Sequence, residues 1–220
     1  MNKESSSFPI RFLGSRLAVL FFSLLLAVPC AYASAPYSID SLRCCDLLFV
    51  SPSEPNAITS VTEGILNQPI DHVAIYYETD SVARVIEAVP DGGVRMINLS
   101  EFLEQNKACH IWIGRVVSPF NASATLRRAL SLVGQPYDHL FLADNDAIYC
   151  SELVQMSFVN DSGKLIFDPI PMSFHDSSGN ITTYWRDFYR SHNLPVPEGQ
   201  PGSNPGDLSR RPNVVIVGNW

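Results

Sequence analysis

Residues 71–89 read DHVAIYYETDSVARVIEAV. Two runs rich in β-branched and aromatic residues, DHVAIYYE and ARVIEAV, flank a polar TDS, and this pattern predicts a β-hairpin. Paired strands leave edges that recruit further strands. CDLLFVS (45–51), VRMINL (94–99), HIWIGRVV (110–117) and VVIV (214–217) supply them. Helical spacing appears between these runs. NASATLRRALSLVG (121–134) starts on a capping residue and ends in Gly134, CSELVQMSFVND (150–161) precedes a DSG turn, and TTYWRDFYRSHN (182–193) is amphipathic with aromatics on one side. Shorter helices are expected over NAITSVTEGILNQ (56–68), stopped by Pro69, and over SEFLEQN (100–106), capped by Ser100. Strands cluster early, without strict alternation with helices. The expected fold class is therefore α+β, an antiparallel sheet packed against helices. The Pro- and Gly-rich segment 195–213 is expected to run extended over the surface.

The amino terminus stands apart. Lys3, Arg11 and Arg16 precede the apolar LAVLFFSLLLAV, and PCAYASA follows with small residues at alternating positions. That is the layout of a secretory signal, with cleavage expected after Ala33. Residues 1–33 are then the signal peptide and 34–220 one domain. The apolar run is short for a bilayer span of about 20 residues, so no stable membrane span is expected after cleavage. The localisation that follows is exported, periplasmic or secreted.

Hydrophobic residues make up 46% of the 220 and charged residues 17%, which excludes a largely disordered chain. A net charge of −7 leaves no broad basic surface for nucleic acid. No C-x-x-C, H-E-x-x-H or Gly-rich phosphate loop is present, and neither metal nor cofactor is expected. Any chemistry must come from ordinary side chains. Signal cleavage would remove Cys30 and leave Cys44, Cys45, Cys109 and Cys150. An oxidising compartment permits disulfides, but four cysteines in a chain this long are not a disulfide scaffold. Cys44 and Cys45, if extended, face opposite sides of a strand, so at most one can reach Cys109.

Cys150 lies between a tyrosine and a serine at the start of a helical pattern. Free cysteines usually pack as small hydrophobes. In a first helical turn, however, the unpaired N–H groups and the helix dipole favour the thiolate, which is the nucleophile. A base must then come from His72, His110, His139, His175 or His192. His192 ends an exposed helix and His110 opens a strand beside Cys109. His139 and His175 lie in loops around the cysteine helix. His72 begins a strand, where a ring is placed to look into a cleft. Glu87 interrupts the apolar RVIEAV, and a carboxylate there is costly unless paired. The hairpin register brings residues 72 and 87 near one end, so Glu87 is the candidate to orient the imidazole.

A strand opening Asp-His-Val, a following strand with Glu-Ala, the segment GQPYD (134–138) and YCSELV (149–154) opening a helix resemble, in that order, the permuted papain-like amidases of the YiiX/YaeF type, within the broad NlpC clan. The resemblance covers roughly residues 44 to 190. The histidine precedes the cysteine, the reverse of most papain-like enzymes, as the circularly permuted branch has it. The resemblance implies Cys150 as nucleophile, His72 as base, Glu87 as the orienting acid, and Tyr137 and Tyr149 lining the site. It departs at RCCDLLF, where relatives commonly carry Gly-Asp, which puts in doubt the roles of Cys44 and Cys45 rather than the catalytic set. The implied function is an exported cysteine hydrolase that cleaves an amide, or an ester, through a Cys150 acyl-enzyme. Its substrate would be a small molecule, peptide or lipid. Two alternatives stand beside it. An acyltransferase would use the same intermediate. An inactive binding domain would hold Cys150 in a disulfide and pair Glu87 with Arg84 or Arg95.

Overall fold

In the computed structural model, which describes residues 38–143 and 145–220, the hairpin forms the second and third strands of a six-stranded sheet. The expected signal segment 1–33 lies outside the described residues. The elements in chain order are β1 (Leu47–Ser51), β2 (His72–Thr79), β3 (Val82–Val89), β4 (Gly93–Asn98), α1 (Leu99–Gln105), β5 (His110–Val116), α2 (Ala122–Ser131) and α3 (Cys150–Ser157). They continue with β6 (Ile170–Pro171), α4 (Thr183–Ser191), β7 (Pro201–Gly202), α5 (Pro205–Arg210) and β8 (Val214–Asn219). Six strands form one sheet in the order β4-β3-β2-β1-β5-β8. Every neighbouring pair in it is antiparallel, as expected. β6 and β7 pair separately.

The two-residue turn Asp80–Ser81 has positive φ at both positions, 50° and 60°. That backbone twist matches the right-handed twist of the flanking strands and fixes the β2–β3 register. Gly93 also sits at positive φ, where a Cβ would come within 2.2 Å of the Gln135 carbonyl oxygen. The close approach lets Val94 N–H donate to that oxygen at 2.9 Å, which ties the edge strand to the GQPYD segment.

Both faces of the sheet are covered. Leu47, Phe49, Val73, Ile75 and Ile86 pack with Leu153, Val154 and Phe158 on one side. Leu48, Val50, Ala74, Tyr76 and Val85 pack with Leu99 and Phe102 of α1 on the other. Double coverage explains why β1 and the middle of β2 read as unbroken apolar runs: neither face of those strands meets water.

The local readings need several corrections. Residues 56–68 form turns and a 3₁₀ turn at Ile65–Asn67 rather than a helix. Asn56 Oδ1 accepts from the N–H groups of Ile58 and Thr59, which offers the backbone an alternative to helical bonding. Gly64 is extended, and Leu66 and Asn67 are left-handed. α1 begins one residue earlier than expected because β4 runs directly into it, and Asn98 rather than Ser100 holds the cap position. α3 stops at Ser157, since Phe158 turns extended and Val159 bridges to Leu165. Segment 195–213 is extended only in its first part. Pro205 occupies the first turn of α5, where its missing N–H costs nothing, and Asn204 Oδ1 accepts from Asp207 N–H at 2.6 Å.

Cys44 is exposed and Cys45 buried, and all four cysteines among the described residues are free. Cys45 has φ 71°, so the adjacent pair is not an extended dipeptide. Burial, with the charges of Cys44 and Asp46 behind it, pushes the Cys45 thiol up to about 12, so it stays protonated and inert.

Candidate active site

Register builds the site from the hairpin outward. β2 pairs Ile75 with Ile86, and continuing that ladder by one residue sets Ala74 opposite Glu87, with His72 two residues further along the same face. Diagonal neighbours of this kind lie within reach of long side chains. His72 Nε2 stands 2.8 Å from Glu87 Oε2. Glu87 pairs directly with Arg95 across the β3–β4 ladder, and Arg95 Nε and Nη2 both donate to Oε1, at 2.9 and 2.7 Å. Of the two partners left open by the sequence, Arg95 is the one used. Glu87 is 2% exposed, so both carboxylate oxygens are occupied in the interior. Breaking a buried pair of this kind costs about 3–5 kcal/mol, because the remaining charge has no water to turn to.

Nε2 is engaged by Glu87, which leaves Nδ1 as the ring nitrogen for Cys150. Burial alone would lower the His72 pKa, but hydrogen bonds to Cys150 and Glu87 and their charges outweigh it and push it up to about 10. Burial likewise works to raise Glu87, and His72 and Arg95 together hold it below the usual carboxylate value. The two shifts agree in sense: imidazolium and carboxylate stabilise each other.

These directions fix a pH window for stability. Raised from 6.5 to about 10, His72 contributes fully below 6.5, and the contribution is lost as pH rises towards 10. Glu87, lowered from 4.5, contributes above that value and loses its contribution in more acidic solution. Denaturant midpoints measured between pH 6 and pH 10 are expected to fall more steeply for the parent than for His72→Ala; parallel curves would contradict the pairing.

Cys150 is the first residue of α3, and Tyr149 holds the cap position in extended conformation. Its Sγ lies 3.9 Å from the Asp71 carbonyl oxygen, one residue before β2. Asp71 N–H in turn donates to Val50 O at 3.1 Å, so the strand end carrying His72 is fastened to β1. The cysteine opens into a pocket walled by Ile58, Val61, Phe141, Met172, Phe174 and Trp185, with Asp71, Ser151 and Ser203 among its polar members. The turn 56–62 thus places Ile58 and Val61, whose spacing reads as helical, against the pocket instead of the sheet core.

Tyr149 lines this pocket and its hydroxyl accepts from Ser203 N–H at 3.0 Å. Tyr137 lines an adjoining hollow that shares Ile58, Phe141 and Trp185 with the first. Burial, followed by the charges of Cys150, Asp138 and Asp71, raises the Tyr137 phenol, so it stays a donor. Of the other histidines, His139 packs edge-on against Tyr137, and His192 lies within hydrogen-bonding distance of Phe188 O at the end of α4. His110 stacks edge-on with Trp112 on β5. His175 does have an acid, Glu198 at 3.1 Å, which the sequence did not reveal; both side chains are about a third exposed. Arg95, Asp71 and the pocket walls from 172–174, 185 and 203 escaped sequence reasoning, apart from Arg95 as an alternative partner of Glu87. A longer register argument through β4 would have found Arg95.

Among the described residues no group of three or more His, Cys, Asp or Glu side chains is placed to hold a metal ion. No helix among them is long and apolar enough to cross a membrane.

Comparison with known proteins agrees with this architecture. The crystal structure of YiiX from Escherichia coli O157:H7, described as a metalloprotein, matches with a TM-score of 0.65 at 19% identity, over 80% of this chain and 96% of that one. At that identity the likeness shows the fold. A search of the curated proteins gives no match. The family model described as permuted papain-like amidase enzyme, YaeF/YiiX, C92 family matches residues 46–217. With the sheet, the helix order and most of the chain accounted for in this way, the protein belongs to the YaeF/YiiX family of permuted papain-like amidases.

Proposed function

We propose that the protein is a cysteine hydrolase that cleaves an amide bond through an acyl-enzyme on Cys150, with His72 as general base and acid and Glu87 orienting its ring. The observation that carries this reading is the buried Glu87–His72 pair at the start of β2, beside Cys150, whose sulfur lies 3.9 Å from the carbonyl oxygen of the preceding Asp71 at the mouth of α3 and the wall of a pocket. The Cys150 sulfur attacks the carbonyl carbon, and the oxyanion that forms faces the N–H groups at the start of α3, which have no intrahelical acceptor. As the C–N bond breaks, the His72 imidazolium gives its proton to the leaving amine. A water then attacks the thioester, His72 takes its proton, and the C–S bond breaks to release the acid and the thiol.

The substrate is a small molecule or peptide, or an acylated lipid, with an amide or ester bond. The pocket walls are aliphatic and aromatic, so they favour an acyl part with an apolar body. Trapping tests the reading. Incubation with envelope extract followed by acid quench is expected to leave an acyl mass on the peptide carrying Cys150. A label on Cys44 or Cys109 alone would reject it.

We further propose export, on the charged, apolar and small-residue order of residues 1–35. N-terminal sequencing of the protein from a secreting host is expected to begin at Ser34. A chain still starting at Met1 would rule it out.

A further inference from the structure

The Glu87–His72–Cys150 line continues beyond the carboxylate. Arg95 donates to Glu87 Oε1 through Nε and Nη2, and through Nη2 also to Gln105 Oε1 at 2.7 Å. Gln105 is steadied by Glu101, whose Oε1 accepts from Gln105 Nε2 at 3.1 Å. The guanidinium is thus held between Glu87 on β3 and the last turn of α1. Arg95 stands directly opposite Glu87 on β4, and its side chain is 32% exposed.

We infer that Arg95 is a positioning residue of the site, keeping Glu87 ionised and its second oxygen turned to His72. The inference rests on the catalytic reading given above. Nε and Nη2 both donate to Oε1, which occupies that oxygen and leaves Oε2 to His72 Nε2. The charge matters as much as the geometry. The groups facing Glu87 and His72 are Cys150 on α3, Asp71 before β2, and Tyr137 near Cys150 and Asp71. Glu101 on α1 reaches only as far as Gln105. Arg95 is the cation in that set. Removing it makes protonation of the Glu87 carboxylate easier and weakens its hold on the His72 ring.

The test is the rate of Cys150 alkylation by iodoacetamide against pH, read by peptide mass so that Cys44 and Cys109 do not contribute. In Arg95→Gln the acid limb of the profile is expected to move up, by less than the about one to three pH units that a carboxylate directly beside an arginine shows. At the parent's limb midpoint a one-unit move lowers the rate about fivefold. Arg95→Lys keeps the charge and is expected to hold the limb within a few tenths of a unit of the parent. A limb unmoved in Arg95→Gln, or displaced equally in both variants, would overturn the inference and leave Arg95 a packing residue. Should Arg95→Gln fail to fold, Arg95→Met, which keeps the apolar stem and removes the charge, takes its place: a raised limb supports the inference and an unmoved one overturns it. His72→Ala separates this from the underlying reading. If its alkylation profile matches the parent's, the catalytic assignment fails; if it changes while Arg95→Gln does not, only the role of Arg95 fails.

Discussion

Cys150→Ala is expected to abolish turnover and leave the fold in place. The residue is 4% exposed and opens α3, where alanine is the best helix former and fills nearly the same space. Its neighbours in the packed layer, Leu153 and Val154, keep their seats against the sheet. The packing should hold, and the thermal midpoint should drop only by the part of the His72 interaction that Cys150 supplies. The chemistry is another matter. Without sulfur no thioester forms, and neither His72 nor the N–H groups of α3 can supply a covalent path. Loss of the nucleophile in a hydrolase costs roughly a millionfold in kcat, with a residue of catalysis left to binding and oxyanion stabilisation. Hydrolysis of any substrate at more than about a thousandth of the parent rate would remove Cys150 from its role.

What the sequence discloses and what it hides follow from the range over which each feature is decided. The β2–β3 hairpin is local: two strand-like runs and a two-residue turn set the register, and the register sets His72 and Glu87 on one face. That pair was therefore legible from the spacing of an imidazole and a misplaced carboxylate. Cys150 was legible for a similar reason, because helix starts have their own signature. The pocket is decided at long range. Met172, Phe174, Trp185 and Ser203 meet Cys150 only because α4 and the strands β6 and β7 fold back over it, and no local pattern announces that. Ile58 and Val61 show the opposite failure. Their spacing reads as a helix, yet Asn56 and Gly64 break it, and the two side chains serve the pocket wall instead. α5 was hidden by the prolines around it, since Pro205 sits at the one helical position that tolerates it.

His72→Ala carries the second large expectation, because the sequence offers rivals for the base. His139 is nearer in the chain and His175 follows the cysteine, the order of ordinary papain-like enzymes. Neither holds the place His72 holds. His139 lies against Tyr137 with no carboxylate among its described partners, and the partly exposed His175–Glu198 pair opens on a neighbouring hollow that shares Val61 and Thr62 with the pocket that Cys150 lines, but His175 itself does not line that pocket. His72 begins a strand, bonds a carboxylate that is 2% exposed, and interacts with Cys150 directly. A strand end fixes a ring better than a loop, and a general base must stay within about 3 Å of its proton. On the proposed mechanism, removing His72 takes away the proton acceptor. Turnover is then expected to fall by about 10³-fold or more. Alkylation of Cys150 at pH 6 should slow, since no imidazole is left to take the thiol proton. Glu87→Gln should cost less, since an amide still holds the ring but cannot stabilise its charge. The comparison that decides is the alkylation profile across alanine variants of His72, His139 and His175. Were the reactivity at pH 6 to survive in His72→Ala and vanish in one of the others, the base would have to be reassigned, and the hairpin pair would be a structural ion pair.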